Sequence, residues 1–252
     1  MSDQLQTGWL LFRGLSREAE HWGDFPLQLQ AIFPQAPIYV MDFPGVGRYF
    51  QQVSPDSIDE IMRQTREQLL ALKVAWPVNI LALSMGAMVA WQWMLMFPNE
   101  ISRAILVNTS FANVSPFYQR LRWQSYKQFS GLLLEKDVYH RELAIIRLIC
   151  NNRQNDAKLA EIWSDIQKQR PVTYSNFFKQ IKAAASFKPD LTKPVQPLLL
   201  LNSQGDRLVS PDCSINISHK YCIELITHPW AGHDLVIDDS EWLLNQLKQW
   251  IV

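Results

Sequence analysis

A serine hydroxyl becomes a useful nucleophile only when a base accepts its proton, and near neutral pH the usual base is histidine. One serine of the 252-residue chain has a setting that suits this role: Leu81-Ala82-Leu83-Ser84-Met85-Gly86-Ala87, where a short apolar run meets a helical pattern. The order small-x-Ser-x-Gly marks a sharp strand-to-helix turn, because its strained backbone leaves little room beyond Gly or Ala two residues away. Such a turn lifts the hydroxyl above the sheet edge and sets the next amide at the positive end of a helix. Five histidines are available as base: His21, His140, His219, His228 and His233. Most histidines pack or face solvent, so position must decide among them. His233 lies in Trp230-Ala231-Gly232-His233-Asp234, after the last strand candidate and before the last helix, where a loop brings an imidazole over the sheet edge.

The third group of such a set is a carboxylate that holds the imidazole in its working tautomer. Asp206 follows Gly205 in the turn Ser203-Gln204-Gly205-Asp206-Arg207, ahead of Pro211, a residue suited to opening a helix. Alone it reads as turn chemistry. The chain order Ser84, Asp206, His233 changes that reading, because nucleophile, acid and base in this order form one of three well-known serine-hydrolase arrangements.

Elements must hold these residues together. Short apolar runs at 9–12, 38–41, 78–83, 104–108, 197–201 and 222–227 alternate with helical patterns at about 22–32, 57–74, 85–97, 211–219 and 240–250. Near-continuous apolar strands between helices predict a parallel sheet covered on both faces, hence a doubly wound α/β fold. Ile58, Ile61, Met62, Thr65, Leu69 and Leu72 keep helical spacing, and Ser57 with Glu60 predicts a capping box. Residues 111–190 break the alternation and read as helical only. They carry 13 Lys and Arg against 7 Asp and Glu, a net of +6 hidden under a neutral total. Long solvated helices often carry such charge simply to stay in solution; an anionic partner is the other reading.

The chain resembles the α/β-hydrolase superfamily over nearly its whole length. Beyond the three residues above, Asp42-Phe43-Pro44-Gly45-Val46-Gly47 is similar to the family's Asp-x-Pro-Gly-x-Gly turn. Arg13-Gly14-Leu15 and Glu20-His21-Trp22 resemble its oxyanion loop and the aromatic residue beyond. Six of nine glycines (14, 45, 47, 86, 205 and 232) fall in such turns. In layout the chain is similar to esterases with a helical cap inserted after the family's sixth strand, a branch that includes the pimeloyl-acyl-carrier-protein methyl ester esterases. The resemblance implies a core of residues 1–110 and 191–252 and a helical cap at 111–190. It also implies an oxyanion hole from the amides of Leu15 and Met85, with Trp22 and Arg13 near the substrate. Arg13 replaces the histidine many relatives have, and Ala82 the commoner elbow glycine. A nucleophilic aspartate, as in haloalkane dehalogenases and epoxide hydrolases, is excluded because Ser84 holds that position.

The expected activity is therefore hydrolysis of a carboxylic ester or thioester through an acyl-enzyme on Ser84, with no metal and no organic cofactor. The expected substrate is a small-molecule or acyl-carrier-linked ester. Aromatic residues Phe111, Phe117, Tyr118, Trp123, Tyr126 and Phe129 are candidates for an acyl pocket, or for plain packing. Two alternatives share the fold: a lyase or carbon–carbon bond hydrolase using the same triad, and a non-catalytic binding protein. With 24 basic and 24 acidic side chains, the chain lacks the basic excess of a nucleic-acid binder. Cys150, Cys213 and Cys222 show neither disulfide-framework nor zinc spacing, which fits a reducing, cytoplasmic location. The apolar run at 9–12 is too short for a signal-peptide core. Residues 74–99 carry no charge, but Pro77, Asn79, Ser84, Gly86 and Gln92 interrupt them, so no membrane span is expected.

Overall fold

The computed structural model describes residues 7–153 and 156–251. Six strands, β1 (Trp9–Phe12), β2 (Ile38–Met41), β3 (Val78–Leu83), β4 (Ile101–Val107), β5 (Leu198–Ser203) and β6 (Glu224–His228), form one sheet. Their order is β2-β1-β3-β4-β5-β6 and every neighbouring pair is parallel.

Alternate side chains of each strand point to opposite faces, and both faces are dry. Leu10, Phe12, Ile80, Ala82, Ala104, Leu106 and Leu200 enter one apolar cluster. Trp9, Leu11, Leu81, Leu83, Ile105, Val107, Leu199 and Leu201 enter the other. The first face is covered by α2 (Ile58–Ala71), α3 (Met85–Met96) and α9 (Asp212–Tyr221), through Ile61, Trp91 and Ile217. The second is covered by α1 (Phe25–Ile32), α10 (Leu235–Asp238) and α11 (Ser240–Ile251), through Leu29, Leu235, Leu243 and Leu247. Each fully buried aliphatic side chain contributes about 1.5–3 kcal/mol, which is why the strand signal is so plain in the sequence.

Between β4 and β5 lie α4 (Phe117–Arg120), α5 (Tyr126–Leu134), α6 (Val138–Ile149), α7 (Ala157–Gln169) and α8 (Tyr174–Ser186). Ile146, Leu148, Ile149, Ala160, Trp163 and Ile166 give these helices an apolar cluster of their own, with Phe129, Leu132 and Leu208 against it. The uncharged stretch 74–99 is β3 and α3, both packed in the core. No helix among the described residues is long and apolar enough to cross a membrane.

Some boundaries depart from the sequence reading. β4 begins at Ile101, ahead of the expected 104, because ladder pairing continues past the polar Ser102 and Arg103. β5 runs on to Ser203 because Asn202 and Ser203 still pair with Thr227 and His228. The helix expected from residue 22 begins at Phe25, since Gly23 at φ 54° separates it from a single turn at Ala19–Trp22. Ser57 caps α2 by accepting from the Glu60 amide, but the Glu60 carboxylate accepts from Gln64 instead of closing a capping box.

Candidate active site

The chain runs from β1 to the edge strand β2, then crosses back to place β3 on the other side of β1. At such a switch point the loops after the two strands diverge and leave a crevice at their carboxyl ends. Ser84 follows β3 there and Arg13-Gly14-Leu15 follow β1. Ser84 adopts φ 54° and ψ −116°, a conformation that costs a non-glycine residue on the order of 1–3 kcal/mol. Hydrogen bonds hold it: the Ser84 amide donates to Val107 O at 2.8 Å and its carbonyl accepts from Thr109 Oγ1 at 3.0 Å. A Cβ on Gly86 would lie 2.5 Å from the Arg13 carbonyl oxygen, so glycine lets the start of α3 touch the loop after β1. Met85 opens α3, and first-turn amides have no partner inside their helix.

Asp206 and His233 follow the neighbouring strands β5 and β6. His233 Nδ1 and Asp206 Oδ2 are 2.6 Å apart, and both residues are buried. The other Asp206 oxygen accepts from the amides of Leu208 and Val209 at 2.8 and 2.9 Å. Paired with this carboxylate, His233 carries its proton on Nδ1, which leaves Nε2 free to accept. Burial opposes charge on His233, but the Asp206 charge and hydrogen bond outweigh it, with Asp234 adding to them and Arg13 opposing. The net result is a pKa above the ordinary 6.5.

Residues that carry no motif tie these loops together. Asn108, at φ 49° just past β4, donates to Ser203 Oγ at 3.1 Å and to the His233 carbonyl at 2.8 Å, and accepts from the Ser203 amide at 2.9 Å. Asn151, at the end of α6, donates to the carbonyls of Gly205 and Trp230 at 2.9 and 2.7 Å. A Cβ on Gly205 would meet Asn151 and the Trp230 carbonyl at 2.3 Å each, so only glycine fits between the loops after β5 and β6. The one advance signal for Asn108 is its residue type at a strand end, since asparagine tolerates left-handed backbone.

The Arg13 guanidinium makes a two-pronged ion pair with Asp234, Nη1 to Oδ1 at 3.1 Å and Nη2 to Oδ2, with both side chains buried. Arg13 lines the cavity beside Ser84, but its charge is committed to Asp234. Trp22, expected near the substrate, lies beneath Arg13. It is 1% exposed, stacked on Phe25 in the core with the Arg13 guanidinium 5.2 Å from its ring centre, because burying that large ring outweighs exposing it. His21, also fully buried, has its pKa pushed well below the ordinary value by burial, then by Arg17 and Arg13, so it stays neutral.

Residues 16–18 connect this loop to the helices between β4 and β5. The Ser16 amide donates to Gln180 of α8 at 2.8 Å, Arg17 pairs with Glu142 of α6 at 2.6 Å, and Glu18 accepts from Arg170, just past α7, at 2.5–3.0 Å. Asp42 supports the same segment by accepting from the amides of Ala19 and Arg48 at 2.7 and 2.9 Å, which accounts for an aspartate opening that glycine-rich turn.

Two chambers meet at Ser84. One, of about 120 Å³, is lined by Ser84, His233, Leu132, Ile145 and Phe177 among others. The larger, of about 320 Å³, is lined by Ser84, Met85, Met88, Phe117, Tyr126 and Phe129 among others, and Leu15 borders both. Three of the aromatic candidates therefore reach a chamber. Phe111 instead packs in the core 4.9 Å from Trp91, and Tyr118 and Trp123 are exposed.

Comparison with known proteins agrees with this architecture. Residues 18–240 match the family model described as the alpha/beta hydrolase fold, and the chain belongs to that family. Solved structures similar to it include a hydrolase from Pseudomonas aeruginosa, with a TM-score of 0.78 and 16% identity over 100% of this chain and 92% of that one. The enol-lactonase from Burkholderia xenovorans has a TM-score of 0.77 and 15% identity over 99% and 93%. A thermophilic esterase from Thermogutta terrifontis has a TM-score of 0.72 and 17% identity over 98% and 89%. No curated protein matches the sequence.

Proposed function

We propose that the chain is a serine hydrolase that cleaves a carboxylic ester or thioester through an acyl-enzyme on Ser84. The observation that carries this reading is the buried 2.6 Å bond between His233 Nδ1 and Asp206 Oδ2, on the wall of the cavity that Ser84 also lines. Ser84 Oγ attacks the carbonyl carbon while His233 Nε2 takes its proton. The amides of Leu15 and Met85 hold the oxyanion, each worth roughly 3–4 kcal/mol in the transition state. The tetrahedral intermediate collapses, the ester or thioester bond breaks, and the alcohol or thiol leaves with the proton from His233. Water then gives a proton to His233 and attacks the acyl group, releasing the carboxylic acid and restoring Ser84. Asp206 accepts from His233 Nδ1 throughout and steadies the imidazolium. Each step uses groups of this chain and water, so no cofactor or metal is needed.

Helices α4–α8 form the cap of this reading, and the net +6 of residues 111–190 favours an anionic substrate, free or carried by an acidic acyl-carrier protein. An esterase and an enol-lactonase among the similar structures support ester cleavage as the reaction class. The cysteine pattern favours action in the cytoplasm.

The test is labelling with a small fluorophosphonate, followed by mass spectrometry. A single adduct on Ser84, lost in His233→Ala, is expected, and Ser84→Ala should lower ester turnover by about 10⁶-fold. A folded protein that takes no adduct, or a Ser84→Ala variant that keeps turning over, removes Ser84 from the mechanism.

A further inference from the structure

Arg120 is the last residue of α4 and the one charged side chain among the residues lining the larger chamber. The other lining groups include Met88, Phe117, Leu121, Ile181 and Val209, an apolar wall to which Ser84 also contributes. Arg13, Arg17, Arg66 and Arg170 each have a carboxylate partner. Arg120 pairs with none among the described residues. Its Nη1 and Nη2 donate to the carbonyls of Ala185 and Ala184 at 2.7 and 2.5 Å, and its Nε to Ser110 Oγ at 3.3 Å. Three of the five N–H groups of a guanidinium are thus occupied, leaving two for a further acceptor.

A partly buried positive charge without a counter-charge is costly to keep. Neutral carbonyls fix its position but leave the charge uncompensated. The cost shows in its pKa, which burial lowers from the ordinary arginine value. Two free N–H groups on a planar fork match the two oxygens of one carboxylate. An apolar chain laid from Ser84 along the chamber would carry such a carboxylate to Arg120.

We propose that Arg120 is an anion-binding residue of the substrate site, and that the group filling the larger chamber is an apolar chain ending in a carboxylate. The inference rests on the ester-hydrolase reading for what happens at Ser84, but the binding of the anion does not.

Two measurements test it. The first compares kcat/KM for 4-nitrophenyl esters of glutaric and adipic acid, each keeping one free carboxylate, with the pentanoate and hexanoate esters. The wild-type protein should favour the carboxylate esters by about tenfold or more, a typical gain from a charge-assisted bidentate pair. The ratio should fall towards one in Arg120→Met and be partly kept in Arg120→Lys. A wild-type ratio near one overturns the proposal and leaves ester cleavage standing. The second is calorimetric titration of the Ser84→Ala protein with octanoate and octanol. Tighter binding of octanoate, lost in Arg120→Met, upholds the anion site even if no ester is turned over. Octanoate binding that is no tighter than octanol, or that ignores Arg120→Met, overturns it. Because Arg120 also anchors the end of α8, circular dichroism of each variant accompanies both, and the wild-type comparisons need no variant.

Discussion

His233 sits under two opposed influences: burial resists its charging, while Asp206, by charge and by hydrogen bond, favours it. The second wins and raises its pKa, so in the proposed mechanism this base stays protonated to higher pH than an ordinary imidazole. A protonated base cannot accept from Ser84, and kcat/KM should therefore rise with pH through a limb centred above the ordinary 6.5. The stability linkage has the opposite sense. A raised pKa stabilises the fold fully below the unfolded value and loses that contribution as pH rises through the folded one, so the most active form lacks it. Asp206→Asn should shift the limb to lower pH and cut turnover about 10⁴-fold, as loss of the orienting carboxylate does in other triads. A pH–rate profile of both proteins checks it, and an unmoved limb would take His233 out of the rate law. Ser84, Asp206 and His233 were legible because each has its own local signature and the three share a chain order. Asn108 and Asn151 were not, because their partners Ser203, His233, Gly205 and Trp230 become neighbours only through the strand order.

The elements were legible for a different reason. A strand buried on both faces has few polar residues to hide it, so β1 and β3 fall where the apolar runs do. Where polar residues continue a strand, as at Ser102, Arg103, Asn202 and Ser203, side-chain chemistry misreports the boundary. The arrangement of α4–α8 was not legible, since helical spacing gives each helix a buried face without naming what it meets. Between elements, the Arg13–Asp234 pair joins the loop after β1 to the loop after β6. Removing one partner of a buried pair leaves the other charge stranded, typically at 3–5 kcal/mol. Asp234→Asn should lower unfolding free energy by about that amount in a denaturant titration. The double change Arg13→Met with Asp234→Asn should recover part of it. Full stability in the single variant would show that the pair does not join the loops.

Across the whole molecule, charge is segregated although it sums to zero. Residues 111–190 hold 13 basic and 7 acidic side chains, out of 24 of each in the chain. A surface field of this kind speeds the encounter with anions and is screened beyond roughly 8–10 Å at physiological ionic strength. For the carboxylate esters, kcat/KM should fall several-fold from low to physiological salt, while neutral esters respond little; equal responses would rule out steering by these helices. The same helices are fastened to the segment after Gly14 at several points, among them Ser16 to α8, Arg17 to α6 and Glu18 to the end of α7. An outward swing of the helices would pull on residues 16–18 and so on the Leu15 amide beside them. In the proposed mechanism, admission of substrate and readiness for the chemical step would then be mutually exclusive states, as in an interlock. Bulk water that entered during such a swing would meet a machine already disarmed.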